Sequence, residues 1–266
     1  MSKKNPSIVR RFVALSAVAA LASGCLDRPV APAKPHTTDV FVEAVPQNFV
    51  DKIDLVFMID NSLSMKDKQV ILEDAVPVLV ERLVTPRCLD AAGNAVGTAN
   101  ANGTCTTGDP EFVPIKDIHI GIITSSLGNH GGAQCQPLPD DATTGRTPDD
   151  HAELLPTVRP AVQLASWNGS GFLAWDPGQN KNTPPGEANL GTLVMNFRDQ
   201  VHASGEIGCG YESSLEAWYR FLVDPEPPVS IGTTTVGEIE VNVKGAVNTT
   251  LLEQRRAFLR PDSLLA

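Results

Sequence analysis

The sequence predicts an α/β domain built on a doubly wound, mostly parallel sheet. Two short, nearly continuous apolar runs, Ile53–Ile59 and Ile118–Ile123, have the composition of strands covered on both faces. Segments with helical spacing lie between and after them, and strands alternating with helices over one core imply a parallel sheet. With 266 residues, 42% hydrophobic and 20% charged, the chain can bury a sizeable core and is neither disordered nor fibrous.

The elements follow in order along the chain. Val40–Val45 is a short apolar stretch ended by Pro46, and Ile53–Ile59 is the first buried strand, stopping at Asp60. Lys66–Val84 places Val70, Ala75, Leu79 and Leu83 at roughly helical spacing, and Pro77 predicts a kink or break there. Residues 85–115, rich in Gly, Asn, Thr and Pro, read as a loop. Ile118–Ile123, running into Thr124, Ser125 and Ser126, is the second buried strand. Residues 127–160 show little periodicity and many turn residues, which predicts low order. Phe172–Trp175 reads as a third, short strand, and Leu190–Val201 and Glu212–Leu222 as helices, the latter closed by Pro225, Pro227 and Pro228. The polar insertion Ile231–Val247 predicts a hairpin, and Thr250–Leu259 a last helix, before residues 260–263 lead into Leu264, Leu265 and Ala266. No internal repeat is present.

The first residues read as an export signal: a basic start through Arg11, an apolar run from Phe12 to Ala22, then Ser23 and Gly24 before Cys25. The run is too short to span a bilayer. Leu21-Ala22-Ser23-Gly24-Cys25 resembles the bacterial lipobox, which implies cleavage after residue 24 and a lipid on Cys25; the alternative is an ordinary cleaved signal with a cysteine near its cut site. Pro29, Pro32 and Pro35 then give residues 25–48 the character of an extended, semi-rigid tether. The expected organisation is a signal peptide (1–24), the tether (25–48) and one domain (49–266) standing off a membrane of the bacterial cell envelope. Without residues 1–24, which carry Lys3, Lys4, Arg10 and Arg11 and no acid, 17 basic groups face 31 acidic ones, a net charge of −14. So acidic a surface argues against nucleic acid as a partner, because that affinity rests on cationic neutralisation of phosphates.

Setting Cys25 aside leaves Cys88, Cys105, Cys135 and Cys209, an even number that suggests disulfides in an exported chain. Cys88 and Cys105 flank a loop of small and polar residues, so their pairing is the economical one, and Cys135 with Cys209 follows by elimination. The rivals are free thiols or a zinc site, but the chain has no CxxC and no two histidines at i, i+4.

The informative segment is Asp60-Asn61-Ser62-Leu63-Ser64, where a buried strand hands over to a helix. Ligands of open α/β sheets bind outside the carboxyl ends of strands. One carboxylate and two hydroxyls at this spacing can converge on a small hard cation; oxygen-only ligands favour Mg²⁺, or Mn²⁺, over zinc and copper. The same residue types also cap helices, so position alone leaves both readings open. The acidic residues Asp140, Asp141, Asp149 and Asp150 lack the alternation and glycine of a calcium-binding EF-hand loop and read as solvated surface. No HExxH, GxSxG or P-loop occurs.

Val56-Phe57-Met58-Ile59-Asp60-Asn61-Ser62-Leu63-Ser64-Met65 resembles the first strand and loop of von Willebrand factor A domains, whose DxSxS signature is the metal-ion-dependent adhesion site. The resemblance places Asp60, Ser62 and Ser64 in the first metal-binding loop. Ile118–Ser126 is similar to the family's second strand, and Gly208-Cys209-Gly210-Tyr211-Glu212, followed by Leu215-Glu216-Ala217, resembles the loop and helix of the second metal-binding loop. That loop usually supplies a threonine; here Glu212 is the candidate oxygen ligand, with first-turn helix charge as its other role. The family's fourth strand ends in a further metal-binding aspartate, and this sequence reaches Ala266 before one appears. The implied fold is therefore C-terminally truncated before strand four, with the Ile53–Ile59 strand left as an edge. The implied function is a non-enzymatic, membrane-anchored binding module whose metal takes an acidic side chain from a protein ligand. A periplasmic metal-dependent hydrolase is the alternative, as is a structural scaffold that has lost its metal.

Overall fold

A computed structural model describes residues 51–100, 102–128, 135, 141, 146–156, 158–159 and 162–266. The signal, Cys25, the tether, the Val40–Val45 stretch and Asp140 lie outside the described residues. Six strands and four helices carry the architecture. The strands are β1 (Lys52–Ile59), β2 (Asp117–Thr124), β3 (Phe172–Trp175), β4 (Ile231–Val236), β5 (Ile239–Lys244) and β6 (Leu264–Leu265). The helices are α1 (Lys66–Val84), α2 (Leu190–Ala203), α3 (Ser214–Leu222) and α4 (Thr249–Phe258).

The main sheet has the order β6-β1-β2-β3. Strands β1 and β2 are parallel over eight pairs, from Lys52 opposite Asp117 to Ile59 opposite Thr124, whereas β3 runs antiparallel to β2. Side chains alternate strictly across this sheet, as the two-residue period of a strand requires. Ile53, Leu55, Ile59, Ile118, Ile120 and Ile122 face Val76 and Val80 of α1 and Leu193, Phe197 and Val201 of α2. On the other face Val56, Ile123 and Phe172 meet Ala217 and Phe221 of α3 and Leu251 and Phe258 of α4. Helices thus cover both faces, which is why β1 and β2 read as almost unbroken apolar runs. The mixed α/β class expected from the sequence is present, with β3 as its antiparallel edge.

Several expectations need correction. Helix α1 passes through Pro77 as one element. Val76 and Val80 are fully packed on the sheet on either side of the proline, and that burial offsets the lost backbone bond. The buried face of α1 is Gln69, Val76 and Val80, while Val70 and Leu79 are exposed. Residues 85–115 contain a small three-stranded sheet formed by 87–89, 95–98 and 109–110, beside the Cys88–Cys105 disulfide. Within 127–160, Asp150 is buried and paired with Arg159 rather than solvated, and residues 129–134, 136–140, 142–145, 157 and 160, on which the expected low order largely falls, lie outside the described residues. Nor is β1 a bare edge. Leu264 and Leu265 pair in parallel with Ile53 and Asp54, the N–H of Ala266 donates to Asp54 O and that of Val56 to Ala266 O, both at 2.9 Å.

Both expected disulfides, Cys88–Cys105 and Cys135–Cys209, are present, which places the chain in an oxidising compartment. Among the described residues no helix is long and apolar enough to cross a membrane.

The lower end of the sheet buries an ionic cluster. Asp54 and Asp117 lie inside β1 and β2, and Arg260, just past α4, bridges them. His119 sits beside this cluster, its ring nitrogens 2.9 Å from Phe258 O and 3.0 Å from the Asn182 amide oxygen. Burial, reinforced by the charge of Arg260, lowers its pKa below the ordinary 6.5. The unfolded chain therefore takes up a proton near pH 6.5 that the folded chain refuses, so stability should fall as the pH drops through that region. Urea unfolding between pH 7.5 and 5.5 should show this slope, and the same series for His119→Gln should lack it, so that subtracting the variant's series leaves the His119 contribution. Equal slopes in both proteins would assign the effect to other groups.

Candidate metal centre

At the opposite, carboxyl end of the parallel strands the chain leaves β1 at Ile59 and turns at once into a 3-10 turn, Leu63–Met65, that opens α1. Asp60 is half-buried, Asn61 and Ser62 are buried, and Leu63 and Ser64 are exposed. The turn is set by Asp60, whose Oδ1 accepts from the Ser62 N–H at 2.9 Å. Ser62 Oγ and Ser64 Oγ are 3.0 Å apart. Neither Ser62, which precedes the 3-10 turn, nor Met65, which precedes α1, makes a side-chain capping bond. The three oxygen side chains singled out from the sequence thus lie together, and they are not consumed by capping the helix.

The neighbouring strand adds a fourth oxygen that the sequence reading missed. Ser125, one residue beyond β2, donates its N–H to Ile59 O at 3.0 Å and its hydroxyl to Asp60 Oδ1 at 3.2 Å. The signal was available: Thr124-Ser125-Ser126 closes the second buried strand at the sheet end where ligands gather.

Asn61, passed over between Asp60 and Ser62, fixes the loop from beneath. Its Oδ1 accepts from Ser126 Oγ at 2.7 Å, and its Nδ2 donates to Ser204 O at 3.0 Å. Its backbone carbonyl accepts from Gly208 N at 2.8 Å, which brings in the 208–213 segment. A Cβ on Gly208 would meet Asn61 Oδ1 and Ser126 Oγ at 2.3 Å, so only glycine fits. Cys209 N then donates to Ser126 Oγ at 2.7 Å and Ser213 N to Ser125 O at 3.0 Å. The second loop expected from the sequence therefore packs directly against the first. Glu212 itself is exposed and, among the described residues, makes no hydrogen bond or ion pair with the Asp60 cluster. Below Asn61, Asp150 and Arg159 form a buried pair whose arginine also bonds Thr147, Ala203 O and Ser204 O.

Among the described residues there is no group of three or more His, Cys, Asp and Glu side chains suited to a metal. The Asp60 cluster, one carboxylate with three hydroxyls, is a donor set for a hard, oxygen-seeking ion. Of the described histidines, His119 contacts Phe258 O, His151 lies beside Asp149, and His202 bonds Glu73; none bonds Asp60. No family model, curated protein or solved structure matches the chain.

Proposed function

We propose that this chain is a doubly wound domain of the von Willebrand factor A type. It is anchored to a bacterial envelope membrane through a lipid on Cys25 and captures a protein ligand through a divalent metal. Asp60, Ser62 and Ser64, joined by Ser125, hold Mg²⁺ or Mn²⁺, and Glu212 approaches from the second loop when the ion is bound. An acidic side chain of the ligand completes the coordination, which gives a protein of net charge −14 a means of binding an acidic surface.

The observation that carries this reading is the meeting of Asp60, Ser62, Ser64 and Ser125 at the ends of two adjacent parallel strands, with no side-chain cap on the helix that follows. Binding is favoured over hydrolysis because a hydrolase needs a base within reach of its metal, and no described histidine bonds the Asp60 cluster.

Replacing Asp60 with Ala removes the only carboxylate of the first loop. Mg²⁺ or Mn²⁺ affinity should then fall at least about ten-fold, some 1.4 kcal/mol, with the circular dichroism spectrum unchanged. Isothermal titration showing equal affinity in the variant would end the assignment.

A further inference from the structure

Strands β4 and β5 form a two-stranded ribbon that, among the described residues, pairs with no other strand. Gly237, at φ 67°, opens a two-residue turn with Glu238, and the register runs from Val236 opposite Ile239 to Ile231 opposite Lys244. That register sorts the side chains. One face carries Ile231, Thr233, Thr235, Glu240, Asn242 and Lys244; the other carries Thr234, Val236, Ile239, Val241 and Val243. Val236 and Ile239 are 63% and 68% exposed and Val243 is 44% exposed, so the apolar face meets solvent. A lone ribbon is marginally stable in water, whereas three or more strands sharing a face are not.

The outer edge of β5 is complementary to itself. Gly245 N donates to Ser230 O at 2.8 Å, which sets the ladder's phase: 232/243, 234/241 and 236/239 bond across the ribbon. The backbone N–H and C=O of Glu240, Asn242 and Lys244 therefore point outward. Laid antiparallel against a second copy about a two-fold axis at Asn242, each Glu240 stands opposite a Lys244, Asn242 opposite its mate and Val241 opposite Val243. All three outward residues then face outward residues, as a bonded antiparallel ladder demands, and the charges are paired on one face and the valines on the other. Every other register that keeps the bonding phase loses the Glu–Lys match. Lys244 lies 3.7 Å from Asp224 with its side chain 65% exposed, so its charge remains available at the edge.

We propose that this edge is a homodimerisation site: two copies of the chain join β5 to β5 into a four-stranded sheet. Sedimentation equilibrium of the full chain at rising concentration should show a monomer–dimer equilibrium. Glu240→Lys and Lys244→Glu should each weaken it at least about ten-fold by setting like charges opposite one another, and an equimolar mixture of the two should recover association as a heterodimer. Asn242→Cys should yield a reducible dimer, because bonded antiparallel pairs hold their Cα atoms about 5.5 Å apart, within disulfide reach. The Lys244→Glu variant places a carboxylate near Asp224, so its fold is checked by thermal melting; Glu240→Lys and Asn242→Cys carry no such burden. A chain that stays monomeric throughout, a dimer indifferent to Glu240→Lys, or a mixture no tighter than its components overturns the proposal.

Discussion

Arg260→Met should destabilise the domain by about 3–5 kcal/mol, the cost of leaving buried charge without its partner. Asp54 is 0% and Asp117 2% exposed, both inside the parallel strand pair, and one guanidinium serves them both. Arg260 Nε donates to Asp54 Oδ1 at 2.8 Å and Nη2 to Ile53 O at 2.9 Å, while its own N–H reaches Asp54 Oδ2 at 2.9 Å. Lys52 lies at the rim, 4.0 Å from Asp117, with its ammonium held by Asp262 at 2.7 Å. A methionine of similar length keeps the packing but returns none of the charge. For a domain of this size, each kcal/mol is worth about 2–4 °C in Tm, so a drop of roughly 10 °C is expected in calorimetry. The triple variant Asp54→Asn, Asp117→Asn, Arg260→Met should recover much of that loss, because exchanging an entire buried ion cluster for neutral groups is far cheaper than breaking it. A single Arg260→Met variant within 1 kcal/mol of the parent chain would show that water reaches these carboxylates.

This cluster also shows what can be read from the sequence and what cannot. The runs Ile53–Ile59 and Ile118–Ile123 announce buried strands because both faces are covered, and two helices have start signals of a type the sequence displays: Asn189 and Asn248 cap α2 and α4 through bonds from Thr192 N and Leu251 N. The Asp60, Ser62 and Ser64 cluster is legible because its members are two residues apart on one turn. Asp54 inside an apolar strand already calls for a buried partner, but that partner stands 206 residues away and no local pattern names it. The same limit hid the role of Asn61, whose bonds run to Thr147, Ser126 and Ser204. The antiparallel direction of β3 was illegible for a different reason: Phe-Leu-Ala-Trp is uniformly apolar, and direction is set by the chain path around the sheet edge. The apolar face of α1 was misplaced because valine and leucine occur all around that helix, so only packing decides which row is buried.

The second large effect is expected at Arg159, which touches none of the proposed metal ligands. Its Nε donates to Ala203 O at 2.7 Å and its Nη2 to Ser204 O at 2.9 Å, satisfying carbonyls at the C-terminal end of α2, where a cation is also favoured by the helix dipole. The same guanidinium grips both oxygens of Asp150, whose Oδ2 also receives Thr124 Oγ1 at the end of β2 and Asn61 Nδ2 at 3.4 Å. One side chain, 3% exposed, thus ties a helix end, a strand end and the floor of the Asp60 loop together. Arg159→Met would leave the Asp150 carboxylate buried and unpaired and two carbonyls unsatisfied, at a cost of about 3–5 kcal/mol. Metal affinity should fall with it, since Asn61 loses the support that holds the loop while Asp60, Ser62, Ser64 and Ser125 stay in place chemically. Pairing Arg159→Met with Asp150→Asn separates the two effects: the neutral pair should regain part of the stability and, without the fork that aligned Asn61, little of the affinity. If the double variant binds Mg²⁺ as the parent chain does, the floor beneath the loop has no part in shaping the site.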